Sequence, residues 1–214
     1  MSVICPLCQH QASVFYQFKK RLYHQCQFCY GIFMDPALWP DREAEQRRYL
    51  EHLNDVEDSR FQRFVAPITE LVQQLFQPHQ LGLDFGAGHA PVITHVLQQA
   101  GFAIAAYDPL FFNDDALLEQ RYDYICSCEV IEHFHHPAQS FAQLRNLLKP
   151  GGRLFCMTEI YHEGIDFHRW NYKNDPTHVF MYHRNTVSYI ADKYGFKQAG
   201  IEGRLIQFQA NSSL

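Results

Sequence analysis

The sequence predicts an α/β fold with a mostly parallel sheet, preceded by a small cysteine-punctuated module. From Leu81 onward, short apolar runs alternate with amphipathic segments, as in a sheet whose strands are joined by crossover helices. A glycine-rich stretch, Leu83-Asp84-Phe85-Gly86-Ala87-Gly88-His89-Ala90, stands between the first of those runs and the next helix. Near the N-terminus stand two Cys-x-x-Cys pairs, Cys5/Cys8 and Cys26/Cys29, with 17 residues between them.

Three parts follow from the residues. Residues 1–36 form the cysteine module, with a hairpin of Ser13 to Phe18 and Leu22 to Gln25 joined through Lys19-Lys20-Arg21, and Asp35-Pro36 as a stop. Residues 37–78 form a helical linker or cap. Arg42 to Asn54 is highly charged, and Phe61, Phe64, Val65, Ile68, Leu71, Val72, Leu75 and Phe76 recur at helical spacing. Residues 79–214 form the main domain. Its strands are expected at Leu81–Phe85, Phe102–Tyr107, Tyr122–Cys128, Arg153–Thr158, Phe196–Ile201 and Arg204–Gln209, with helices at Pro91–Ala100, Ala138–Leu148 and Asn185–Tyr194. Lys149-Pro150-Gly151-Gly152 and Gly195 end the last two helices. Between Asp108 and Arg121 no run is apolar enough for a convincing strand.

With 214 residues the chain buries one good core plus a small appendage. Its net charge of −5 argues against a wholly basic nucleic-acid binder, although a local patch can still contact phosphate. The longest apolar stretches are strand-length, too short to span a bilayer. Met1 to Gln11 lacks the basic start and long apolar run of a signal peptide, so the cytoplasm is the expected compartment. Reduced thiols are expected there. The spacing of the two cysteine pairs predicts a structural zinc ribbon, with four thiolates closing a tetrahedral site. Cys126, Cys128 and Cys156 fall in predicted strands as small core residues.

In the glycine-rich stretch, the backbone of Gly86 and Gly88 can approach a ligand closely. Asp84 stands two residues before the first glycine. Asp108 ends the second strand, where an acid can take both hydroxyls of a ribose. The third glycine of the dinucleotide fingerprint is absent, its place being Pro91.

This combination resembles the class I S-adenosylmethionine-dependent methyltransferases. Asp84-x-Gly86-x-Gly88 matches their first motif, and Asp108-Pro109 the ribose-binding acid. Tyr122-Asp123-Tyr124-Ile125 through Glu132-His133 matches the fourth-strand motif, and Leu148-Lys149-Pro150-Gly151-Gly152 the turn before the fifth strand. The resemblance implies a Rossmann-like, seven-stranded, mostly parallel sheet with flanking helices behind the zinc ribbon. It implies S-adenosylmethionine as cofactor, held by Asp84, Gly86, Ala87, Gly88, Asp108, Pro109 and Glu129, with Asp84 setting the loop near the methionine amino group. Asp114 and Asp115 are candidates for the adenine.

Glu129, Glu132 and His133 follow the fourth strand at i, i+3 and i+4, and would share a face if a helical turn begins there. Paired carboxylates favour a cation or a proton between them, and oxygen ligands with an imidazole suit Mg²⁺ or Mn²⁺. The segment resembles two metal-assisted branches of the family, the ubiquinone-pathway O-methyltransferases and the small-RNA 3′-terminal 2′-O-methyltransferases. By that resemblance His178 completes the site, and the acceptor carries adjacent hydroxyls. Without a metal, His133 or His178 could serve as general base. Trp170 and Tyr172, in the long loop from Tyr161 to Tyr182, are candidates to stack on the substrate. His135 and His136 read as exposed turn residues. The expected activity is O-methylation of a hydroxylated small molecule. RNA methylation with the ribbon as grip, and a non-catalytic binding module, are the alternatives.

Overall fold

The computed structural model describes residues 3–51 and 54–212. The ribbon supplies β1 (Val3–Ile4), β2 (Gln11–Phe18), β3 (Arg21–Cys26) and β4 (Ile32–Met34), paired antiparallel in succession. The β2–β3 turn is Lys19-Lys20, with Lys19 at φ 55°, the left-handed conformation that tight hairpins use. Two helices follow, α1 (Arg42–Leu50) and α2 (Ser59–Leu75). Asp41 and Asp58 cap them by accepting from the amides of Ala44 and Arg60. The main domain then runs β5 (Gly82–Phe85), α3 (Val92–Gln99), β6 (Ile104–Tyr107), β7 (Tyr122–Cys128), α4 (Pro137–Leu147), β8 (Leu148–Met157) and β9 (Ile160–Tyr161). It closes with β10 (Phe180–His183), α5 (Arg184–Tyr194), β11 (Phe196–Glu202) and β12 (Leu205–Ala210).

The main sheet has the order β11-β12-β8-β7-β5-β6. Pairing is parallel from β6 to β8 and antiparallel at β12 and β11. Among the described residues this sheet has six strands, not seven. The segment after β6 forms a single 3-10 turn at Asp115–Glu119 instead, capped by Asp114 through the Ala116 amide. A parallel strand needs apolar residues on both faces, and Asn113-Asp114-Asp115 offers none. Val65, Ile68 and Val72 of α2 pack with Ile93 and Leu97 of α3 on one face of the sheet. Phe141 and Leu144 of α4 pack with Val187 and Ile190 of α5 on the other. No helix among the described residues is long and apolar enough to cross a membrane.

The ribbon is not a free appendage. β4 pairs with β10, placing Phe33 opposite Phe180, and β10 pairs with β9, so one sheet runs from the first strand into the main domain. Gly31 permits this closeness, because a Cβ there would lie 2.5 Å from Phe180 Cζ. The sheet therefore continues across the boundary expected at residue 36.

Candidate active site

The carboxyl ends of β5, β6 and β7 open into a cavity of about 1690 Å³, where open α/β sheets place their ligands. The glycine-rich loop forms one wall. Gly86 has φ 79°, and a Cβ there would lie 2.5 Å from Val130 Cγ1, so no larger residue fits. Gly88 has φ 65°, and a Cβ there would meet nothing within 4 Å. Asp84 is buried, and its Oδ2 accepts from the Thr94 amide at 3.2 Å and the Thr94 hydroxyl at 3.0 Å. Burial pushes its carboxyl up to about 7, against those bonds. It thus ties the loop to the start of α3.

Asp108 closes the loop from the β6 end. Its Oδ2 accepts from the Gly88 amide at 3.0 Å, and its Oδ1 accepts from Leu110 and Phe111 at 2.8 and 3.2 Å. Ala87 and Pro109 line the same wall. Neither Asp114 nor Asp115 is among the described residues lining the cavity, Asp114 being spent as a cap.

His133 and His178 line the opposite wall, with Glu132 buried beside them. A 3-10 turn at Ile131–His133 buries Glu132 completely. His133 Nδ1 donates to the Thr177 carbonyl at 2.9 Å, and His178 Nδ1 donates to the Tyr172 carbonyl at 2.8 Å. Both rings are thereby set as the Nδ1–H tautomer, leaving each Nε2 with a lone pair. Each Nε2 lies 4.0 Å from Glu132 Oε1. The tyrosine hydroxyl of Tyr172 donates to that oxygen, while Glu132 Oε2 is buried without a partner. Burial pushes Glu132 up to about 7, His178 down to about 3, and His133 below its ordinary value. Glu132, His133 and His178 offer ligand atoms within 4.8 Å of one another.

Glu129 does not join them. The backbone turns left-handed there, at φ 54°, so no helical turn spans 129–133 and the expected shared face does not form. Its side chain pairs instead with Arg204 at 2.6 Å, while still bordering the cavity. Burial, with Glu132 nearby, pushes Glu129 up to about 8. Trp170 is also displaced from its expected role. It is buried among Tyr161, Phe167 and Met181, its indole N–H donates to Glu159, and it does not line the cavity. Tyr172 does line it, its ring tilted at 49° against that of His178 with centroids 4.1 Å apart.

Residues 49–199 match the protein family described as a methyltransferase domain. The chain belongs to this methyltransferase-domain family. A ubiquinone biosynthesis O-methyltransferase of Cereibacter sphaeroides is 33% identical over 78 residues, which is 36% of this chain and 31% of that protein. The mitochondrial ubiquinone biosynthesis O-methyltransferase of Dictyostelium discoideum is 45% identical over 40 residues, 19% of this chain and 12% of that protein. The matched stretch thus spans about a third or less of these curated relatives. Among solved structures, the Burkholderia thailandensis 1,6-didemethyltoxoflavin-N1-methyltransferase with bound S-adenosylhomocysteine superposes with a TM-score of 0.56 at 13% identity, covering 94% of this chain and 100% of that one. The Synechocystis magnesium protoporphyrin IX methyltransferase gives 0.53 at 17% identity, covering 71% of this chain and 83% of that one. The fold is that of the S-adenosylmethionine-dependent methyltransferases.

In this methyltransferase-domain chain, several site residues carry no local sequence signal. Arg48 of α1 pairs with Asp175 at 2.7 Å. His135 pairs with Glu45 at 3.0 Å, stacks on Trp39 and borders the cavity, so it is no idle turn residue. Arg204 reaches the cavity from the β11–β12 turn and lies over the rings of Phe64 and Tyr172. Cys128 borders the cavity as well, whereas Cys126 and Cys156 are core residues as expected. In the ribbon, Cys5, Cys8, Cys26 and Cys29 are buried and converge within 4.8 Å of one another. Gln9 and Tyr30, each the residue after the second cysteine of a pair, take φ 62° and 63° and turn the two knuckles. Four converging thiols without disulfides fit a tetrahedral zinc site.

Proposed function

We propose that this chain is an S-adenosylmethionine-dependent O-methyltransferase for a hydroxylated small molecule, assisted by a divalent cation. The observation that carries the reading is one cavity lined by the glycine-rich wall and by His133 and His178, with Glu132 buried 4.0 Å from both Nε2 atoms. Support for an oxygen acceptor comes from the ubiquinone biosynthesis O-methyltransferases, the curated relatives. The cavity volume supports a bound cofactor together with an acceptor.

The residues fit both groups. Gly86 and Gly88 leave backbone open to the cofactor, Asp108 presents a carboxylate for its ribose, and Ala87 and Pro109 complete that wall. S-adenosylmethionine supplies an electrophilic sulfonium methyl. For a cation, the orphaned Glu132 Oε2 and the two Nε2 lone pairs are the donors. Mg²⁺ or Mn²⁺ would supply Lewis acidity that lowers a hydroxyl pKa. The protein's own part is orientation and proton placement. His178 stays neutral at physiological pH because burial disfavours its cation, so its Nε2 remains an acceptor. His133 is depressed in the same sense. Tyr172 holds Glu132 in place by donating to it. Zinc in the ribbon is structural in this reading, since four thiolates leave no open position. Unpaired thiols there support a reducing compartment, the cytoplasm.

The test is a calorimetric titration of Mn²⁺ into zinc-loaded protein saturated with S-adenosylhomocysteine, repeated on Glu132→Ala and His178→Ala. Binding in the wild type and its loss in both variants is expected. A protein that binds S-adenosylhomocysteine but no Mn²⁺ removes the cation and leaves an imidazole Nε2 as the base. No binding of S-adenosylhomocysteine overturns the reading as a whole.

A further inference from the structure

The ribbon hairpin reaches the segment beside the two imidazoles through Arg21 and Tyr23. Arg21, the first residue of β3, donates from Nη1 to the carbonyls of Lys173 and Asp175 at 2.7 and 3.1 Å, and from Nη2 to that of Asn174 at 3.0 Å. Tyr23, two residues on, donates its hydroxyl to the same Lys173 carbonyl at 3.0 Å. Three consecutive carbonyls point one way because they end the 3-10 turn Asn171–Asn174, and a guanidinium fork matches such a row. Three of the Arg21 guanidinium's hydrogen bonds are thus committed to this segment rather than free for a phosphate contact.

The other side of that segment holds the two imidazoles. The Tyr172 carbonyl accepts from His178 Nδ1, and the Thr177 carbonyl accepts from His133 Nδ1. Asp175 Oδ1 accepts from the Thr177 amide and hydroxyl, at 2.9 and 2.6 Å, while its Oδ2 takes Arg48. Both carbonyls that set the histidine tautomers thus flank the three, of Lys173, Asn174 and Asp175, that the ribbon ties down. We infer that Arg21 is a positioning residue for the acceptor site, and that the ribbon's function is to hold the 172–177 segment so that His133 and His178 present Nε2 together. This inference rests on the reading of Glu132, His133 and His178 as the acceptor side.

The experiment is nitrogen NMR of histidine-labelled, zinc-loaded full-length protein, with His133 and His178 assigned by their Gln variants. Arg21→Ala, Arg21→Lys and the control Lys20→Ala are compared in parallel with S-adenosylhomocysteine affinity. In the wild type both rings are expected as the Nδ1–H tautomer with slow proton exchange. In Arg21→Ala the two Nδ1–H signals should be lost or averaged, S-adenosylhomocysteine affinity should stay within about twofold, and Lys20→Ala should match the wild type. Arg21→Lys, which cannot fork across three carbonyls, should fall between. Unchanged ring signals in Arg21→Ala would overturn the inference. So would parallel loss of S-adenosylhomocysteine affinity, since Arg21 would then support the whole fold. Should the alanine variant not fold, wild-type ring signals in Arg21→Lys would overturn it in the same way. A wild type that does not bind S-adenosylhomocysteine condemns the functional reading and leaves the tautomer comparison standing.

Discussion

Gly86 and Gly88 have similar dihedrals but different surroundings, and their alanine variants should separate the two demands. Gly86→Ala must bear the left-handed φ, about 1–2 kcal/mol, and also a collision with Val130. Gly88→Ala bears only the φ. Thermal melts should show the larger loss for Gly86→Ala, while calorimetry should show weakened S-adenosylhomocysteine binding in both. Asp84 allows a second prediction. Burial raises its carboxyl to about 7 in the folded protein, above the ordinary value near 4 in the unfolded chain. The folded state binds the extra proton between those values, so its contribution to stability is present below about pH 4 and lost as pH rises to about 7. Asp84→Asn keeps an acceptor for Thr94 and should flatten that dependence, by up to about 1 kcal/mol per pH unit. Urea midpoints at pH 5 and pH 8 read it, and an unchanged slope would refute the assignment.

Helix α1 has no buried residue. It rests on polar contacts at the cavity mouth: Arg48 with Asp175, Glu45 with His135, and Arg42 with the Pro109 carbonyl. An element so held opens locally at low cost. Arg48→Ala should raise amide exchange in residues 42–50 about fivefold, for a partly exposed pair worth about 1 kcal/mol, with α2 and the sheet unaffected. Exchange mass spectrometry distinguishes this from a global loss of stability. Helix α2 shows the converse. Its apolar stripe buries Val65, Ile68 and Val72, yet Phe64 is left exposed at the cavity mouth beneath Arg204.

At the scale of the molecule, the ribbon and the main domain share a sheet through β4 and β10, and β10 follows directly on His178. The Val179 amide donates to the Glu132 carbonyl, and the Val179 carbonyl accepts from the Met34 amide. Melting the ribbon therefore exposes the edge beside Glu132 and His178. Removing metal from the four thiolates with a strong chelator should lower the melting temperature of the whole chain. Fluorescence of Trp170, in the core beneath the ribbon, should change in the same transition as far-ultraviolet circular dichroism. Two separated transitions would show that the ribbon and the domain fold independently.

Much was legible without coordinates wherever the determinant is local. Buried parallel strands read as apolar runs, Gly195 caps α5, and glycines mark the loop at the end of β5 whose backbone needs positive φ, although Pro150, expected to end a helix, lies within β8. The cysteine pairs announced their cluster by spacing alone. The same local reading found no strand between Asp108 and Arg121, where the family resemblance implied a seventh. What the tertiary structure decided is which distant side chains meet. A left-handed residue at Glu129 turns its carboxylate to Arg204, 75 positions away, and out of the cluster that Glu132 and His133 form with His178. Trp170 sank into the core because the ribbon supplied an apolar cover. Arg21 found its three carbonyls some 150 residues along the chain. Periodicity and turn chemistry encode backbone conformation within a few residues. Long-range contacts depend on packing and on the geometry of intervening segments, and these leave no mark on the residues that come together.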